Sequence, residues 1–521
     1  MGSANALMDA SMALRTSAAP FFRAWEGREA VLKRVFVAPD PGRLRLRAAT
    51  RAVLGVGLAV LLCSLAGQSL VAAVTGGLAA LLALFTVTDA TVRGQAVTTA
   101  LLPAVGLPVL ALAASLYDVP WARDAVFLAV VGAGVYARRW GPRGHSLGVF
   151  AFMTYFVSQF LHTTPGQLPG LYAAVLLSLL ASSAVRFGLW CYERGVPPAV
   201  LPAPPGGRGL ARTTTRQAVQ ATAGSGFALI VGQLVSEQRW YWAVGATWWI
   251  FVNTTSRGET LVRGFRRGLG TVIGIAAGLA VVIPLHGAPL PTVALIAVCV
   301  FGIFYAAPVS YTWMMLFVTV LASLLYGLLG VLHPGLLALR LAETAAGAAG
   351  AVLAVALVLP VTTDAVTDDW LRRALHAVHG CTAQAARRLA GDATADPAPK
   401  AAELEALLGR LRTAVAPLVH PLNPLRARKA RARRILALLD DCAREVRGLA
   451  TVAADPDASH DARLTAACGR VEAAVETLAG AAPERVPTPR PDAPVRHPGA
   501  EQALAHVRGL ERALEGLAAP V

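Results

Sequence analysis

The sequence predicts an all-α polytopic membrane protein of about twelve spans, arranged as two parallel six-span repeats and followed by a cytosolic helical domain. Three observations carry this reading. Of 521 residues, 55% are hydrophobic and only 15% charged, and the apolar residues fall in long blocks. The turns between the blocks are alternately rich and poor in arginine. Short features of the first half recur about 164 to 169 residues later in the second.

The formal net charge of +16 follows mostly from arginines in alternate turns, as the positive-inside rule requires, and no basic region is interleaved with stacking aromatics. Nucleic-acid binding is therefore not expected. Six cysteines without any Cys-x-x-Cys spacing indicate neither a metal site nor a disulfide framework, and no cofactor is implied. The N-terminus lacks a charged stub followed by an apolar core and a cleavage site, so a removed signal peptide is not expected.

Residues 1–50 read as a basic cytosolic arm, dense in arginine just before the first span. The first six-span repeat occupies 51–190, with apolar blocks at about 52–66, 70–88, 97–116, 124–137, 146–161 and 170–188. Pro103 and Pro108 in the third block mark a kink or an interruption. Residues 191–215 contain VPPAVLPAPPGGRG, a Pro/Gly linker. The second repeat, 216–361, has blocks at about 217–235, 240–254, 268–285, 290–307, 312–330 and 336–360. Both termini are expected in the cytosol.

Four matches in order support the repeat: Arg51 and Gly67-Gln68 with Arg216 and Gly232-Gln233, Arg93-Gly94-Gln95 with Arg257-Gly258-Glu259, Tyr136-Ala137 with Tyr305-Ala306, and Pro165-Gly166 with Pro334-Gly335. An even number of spans per half gives both halves one orientation. Beyond Pro360 the composition turns to Ala, Arg, Glu, Leu and Asp, and amphipathic blocks at about 364–391, 401–416, 425–454, 459–480 and 499–518 predict a cytosolic helical domain over 362–521.

The densest chemistry lies between Gln238 and Gly278. Aromatic residues Trp240, Tyr241 and Trp242 open an apolar run, a cationic turn carries Arg257, Arg263, Arg266 and Arg267, and Gly270, Gly274 and Gly278 then recur every fourth residue, forming a bare helix face that another helix or a substrate can approach. Trp242-Ala243, together with Arg257-Gly258 and Arg267-x-x-Gly270-Thr271-x-x-Gly274, resembles the fusaric acid resistance and aromatic acid exporter superfamily, which includes plant malate channels. The resemblance spans roughly residues 45–362. It implies a secondary transporter that exports small organic, including aromatic, anions across the cytoplasmic membrane, and a role for Arg340 and Thr344 in the last span.

From the residues themselves, Arg340 and Glu343 lie three apart inside an apolar span, on one helix face where they can pair, as substrate and coupling groups or as a structural lock. Arg257 and Arg267 could recruit an organic anion at the inner mouth, or serve only as topology signals. Gly270 and Thr271 belong to the same motif. Mid-span Trp249, like Trp248, could stack on an aromatic substrate, although packing is the commoner fate of such rings. Arg426–Arg434 could hold anionic lipid. A homodimer is compatible with this organisation. Without a Gly-x-x-x-x-Gly-Lys-Ser/Thr signature, proton coupling is the expected drive of an active pump. The alternatives are an anion channel of the same fold, a membrane-embedded transferase, which would need carboxylate clusters where only lone Asp89, Asp118, Glu237 and Glu259 occur, and a membrane scaffold.

Overall fold

The computed structural model describes residues 43–188, 209–252, 254, 256–285, 288–332, 334–360, 363–389, 392, 394–419, 426–453, 462–479 and 498–518. The basic arm over 1–42, most of the Pro/Gly linker, and the side chains of Arg426 and Arg428 lie outside the described residues. Each apolar block becomes a helix. The first half contributes α1 (Leu44–Leu65), α2 (Leu70–Thr86), α3 (Val92–Ser115), α4 (Pro120–Tyr136), α5 (Gly141–Leu161) and α6 (Leu168–Gly188). The second contributes α7 (Thr213–Val235), α8 (Tyr241–Phe251), α9 (Arg257–Leu285), α10 (Pro289–Ala306), α11 (Tyr311–Leu328) and α12 (Pro334–Leu357).

By length and composition, eight of these are long and apolar enough to cross a membrane: α1, α3, α6, α7 and α9–α12. α2 is apolar but shorter, with 17 residues. α8 has only 11 residues and so reaches about 16 Å, well short of the roughly 30 Å hydrocarbon core. The expected span over 240–254 is thus a short helix, because the helix stops at Phe251 and Thr254 is non-helical. α3 begins at Thr91, whose hydroxyl accepts from the Gly94 amide at 3.0 Å, and runs unbroken through Pro103 and Pro108. The interruption considered at these prolines does not occur. The cationic turn is also revised: Arg257–Arg267 forms the first three turns of α9, capped where the Ser256 hydroxyl accepts from the Glu259 amide at 3.3 Å.

The chain forms two compact units, each drawing helices from both halves of the sequence. One holds α1, α2, α6, α9 from Arg266 onward, α10, α11 and the start of α12 through Leu341. The other holds α3, α4, α5, α7, α8, the first turns of α9, and α12 from Ala342 onward, together with the C-terminal helices. Close approach of small residues sets the packing in both. In the first unit a Cβ on Gly76 of α2 would lie 2.9 Å from the Ala174 carbonyl oxygen of α6; in the second, a Cβ on Gly347 of α12 would lie 2.3 Å from the Ala243 carbonyl oxygen of α8. Likewise α3 packs on α5, where Gly106 faces Phe150, and α9 packs on α11.

The C-terminal helices are α13 (Thr363–Leu389), α14 (Ala398–Val419), α15 (Arg426–Ala453), α16 (Ala462–Ala479) and α17 (Pro498–Ala518). They close a ring, α13 on α14, α14 on α15, α15 on α17, α17 on α16 and α16 on α13. Leu375, Val378, Leu404, Leu408, Leu411, Leu439, Val446, Val471, Val507 and Leu510 fill its core at the spacings that made the blocks amphipathic. The paired acids of this domain sit on its surface: Asp369 pairs with Arg373 at 3.2 Å and Asp440 with Arg412 at 2.5 Å.

Candidate functional site

The first unit buries several guanidinium groups among apolar helices. Arg267 on α9 is 4% exposed, and its Nη1 lies 3.3 Å from the Tyr311 hydroxyl and 3.5 Å from Met315 Sδ on α11. Arg340 on α12 is likewise buried, at 4% exposure. Arg45 on α1 lies over the Tyr305 ring at 4.9 Å. Arg186 near the end of α6 donates through Nη2 to the Ala83 carbonyl at 2.8 Å, satisfying an acceptor in the last turn of α2 where the helix dipole favours a cation. In the sequence, Arg45 before the first apolar block and Arg186 at the end of the sixth look like topology signals. Their burial depends on neighbours from distant parts of the chain, which local spacing does not reveal.

Gly270 and Thr271 are both buried. The glycine face of α9 is taken by α11: a Cβ on Gly270 would stand 2.5 Å from the Thr312 carbonyl oxygen, and one on Gly274 would stand 2.7 Å from the Thr319 Cβ. Arg257, at the start of α9, is exposed. Glu343 and Thr344, one turn beyond Arg340 on α12, are 1% and 6% exposed. A carboxylate this deep in an apolar segment is costly and marks a functional candidate.

The second unit carries an aromatic stack and two polar junctions. Trp248 is fully buried, stacked on Phe152 at 4.3 Å, with its ring against Gly134. Trp249 and Trp242 are half-buried, and Trp242 meets Phe156 edge-on at 4.9 Å. At the start of α4, Asp124 accepts from Gln233 Nε2 of α7 at 2.6 Å and from Arg123 Nε at 2.8 Å. Arg123 stacks on Trp240 at 4.7 Å, and its carbonyl accepts from the Tyr155 hydroxyl at 2.7 Å.

The other junction forms at the opposite end of α4, in the 3-10 turn Ala137–Trp140. Arg138 Nη1 donates to Gln217 Oε1 of α7 and to the Phe251 carbonyl that ends α8, each at 3.2 Å. Gln217 Nε2 donates in turn to the Thr254 carbonyl at 2.6 Å, and the Thr260 hydroxyl of α9 donates to Thr254 Oγ1 at 3.2 Å. Burial first, and then the neighbouring Arg263, push Arg138 down to about 10, which still leaves it cationic at neutral pH. Gln217 within an apolar span was the available sequence signal for this junction, since a buried amide requires partners. By contrast, the groove of about 560 Å³ between α4 and α7, lined by Gly132, Ala133, Tyr136, Ala218 and Thr222, carries no charged group. Among the described residues, no group of three or more His, Cys, Asp or Glu is placed to hold a metal ion.

Apolar helices of spanning length with guanidinium groups buried among them define an all-α multi-pass membrane protein of the transporter type. Residues 227–354, from α7 to α12, match the family model described as fusaric acid resistance protein-like, in agreement with the resemblance carried by Trp242, Arg257, Arg267 and Gly270. No curated protein and no solved structure matches the chain.

Proposed function

We propose that the protein is a secondary transporter that exports small organic anions, aromatic acids among them, across the cytoplasmic membrane. The observation that carries this reading is the set of guanidinium groups buried in apolar helices, Arg267 and Arg340 foremost, where a carboxylate would be bound in a low-dielectric setting by planar fork-shaped donors. The match to a fusaric acid resistance-like family supports the substrate class. Glu343, the buried carboxylate one turn from Arg340, is the residue proposed to couple transport to protons, holding Arg340 when substrate is absent. The division of labour between two six-span repeats is supported by the two units, each of which takes the first, second and sixth helices of one half and draws on the third to fifth of the other. The protein performs no covalent chemistry in this reading, and both termini lie in the cytosol.

Ligand-dependent thermal stabilisation of the purified chain tests the substrate class, because a ligand bound only by the folded form raises its stability in proportion to RT ln(1 + [L]/Kd). Benzoate and salicylate are expected to raise the melting temperature in a saturable manner, and benzamide, which lacks the charge, to leave it unchanged. Equal stabilisation by benzamide, or none by any acid, would overturn the reading.

A further inference from the structure

The Arg138 junction is built unlike a topology signal. Both hydrogen bonds of its guanidinium are made by Nη1, to neutral oxygens, so the Nε/Nη2 edge, the fork that grips a carboxylate with two parallel bonds, is uncommitted. The turn that holds it is tied to two helices. Gln217 ties it to α7 and Phe251 to the end of α8, while Gln217 Nε2 also reaches the Thr254 carbonyl and Thr254 bonds Thr260 in the first turns of α9. Those turns carry Glu259 and Arg263, and Gly264, next to Arg263, sits against Ile250 of α8. Arg410, exposed on α14 of the C-terminal bundle, also acts on Arg138 through its charge.

The charges do not balance. Among the described residues, the charges that act on Arg138 are the cations Arg263 and Arg410 and the carboxylate Glu259, and Arg138 and Arg263 act in turn on His145 at the start of α5. Three cations drawn together beside one anion repel one another at a site partly withdrawn from water, and an incoming oxyanion relieves that repulsion.

We propose that this junction is a loading site for a small carboxylate arriving from the side of the C-terminal bundle, gripped by the Nε/Nη2 edge of Arg138 and drawn in by Arg263 and by Arg410 of α14. The carboxylate class rests on the organic-anion reading above. The helical bundle thereby supplies a residue to substrate capture, which gives it a part in transport beyond holding the membrane helices. Inorganic phosphate shares the oxyanion chemistry, and the test separates the two.

Isothermal titration of the purified full-length chain with benzoate, and separately with inorganic phosphate, tests the site in wild type, Arg138→Lys, Arg410→Gln and the surface control Arg470→Gln. Arg138→Lys keeps the charge but removes the fork, and is expected to weaken benzoate binding about tenfold. Arg410→Gln, at an exposed position where the fold tolerates the change, should weaken it about threefold and flatten its salt dependence. Arg470→Gln should bind as wild type. Unchanged benzoate affinity in both Arg138→Lys and Arg410→Gln overturns the site, as does phosphate binding that benzoate fails to displace. Flux in reconstituted vesicles separates the site from the export reading. Benzoate binding that both variants weaken, without benzoate flux in the wild type, would keep the site and reject export; wild-type flux unaltered in both variants, with unaltered affinity, would keep export and reject the site.

Discussion

Arg340 shows what a single side chain asks of a membrane helix. Its guanidinium and the Glu343 carboxylate are both buried on α12, within one helical turn. Taking either charge out of water costs several kcal/mol unless the other groups around it compensate, so removing one is expected to be felt in folding as well as in transport. Arg340→Lys preserves the charge and is expected to retain most of the melting temperature while losing about tenfold or more in benzoate flux, because an ammonium does not reproduce the fork. Glu343→Gln should lower the melting temperature while leaving the chain folded, and remove the dependence of flux on a pH gradient. Melting curves and vesicle flux on the same preparations check both. Flux for Arg340→Ala/Glu343→Ala equal to wild type would place substrate binding and coupling elsewhere. In the bundle, burial pushes the thiols of Cys381, Cys442 and Cys468 up to about 12, so a maleimide at pH 8 should label them only after denaturant is added. Ready labelling of the native chain would show that the bundle core is open.

At the scale of elements, the glycine face of α9 is a packing surface. Gly274→Val would press on Thr319 and on the Leu316 carbonyl of α11, and overpacking of this kind typically costs about 1–3 kcal/mol. Denaturant or thermal unfolding of that variant should register the loss, and the exposed neighbour Val272→Ala should not. Helix positions were the most legible feature of the chain. Every apolar or amphipathic block became a helix, and the bundle helices α13–α17 begin and end within about three residues of the blocks read from spacing. Two elements departed. α8 is shorter than its apolar run because hydropathy does not register that the helix ends at Phe251, and α9 starts some ten residues early because Ser256 caps a segment whose arginines look like a loop. Of the Arg138 junction only the in-span Gln217 was legible, because the partners Gln217 and Phe251 are 79 and 113 residues away and only packing brings them together.

At the scale of the molecule, membrane helices mixed from both halves of the sequence are followed by a helical bundle whose Arg410 acts on Arg138 through its charge. The proposed topology places the Arg139 turn in the cytosol and the Gln167 turn outside. Single cysteines introduced at these positions should react with an impermeant reagent in intact cells only at Gln167, and at Arg139 only after the membrane is opened. If organic anions move by a saturable, proton-linked cycle, flux of labelled benzoate from proteoliposomes reconstituted with the purified chain measures it most directly. The expected result is efflux that saturates with benzoate concentration, accelerates when the receiving side is made acidic, and falls about tenfold in Arg340→Lys. Flux that rises linearly with concentration and ignores the pH gradient would contradict a carrier and indicate an open anion pore, and absence of flux for every acid tested would contradict transport of organic anions altogether.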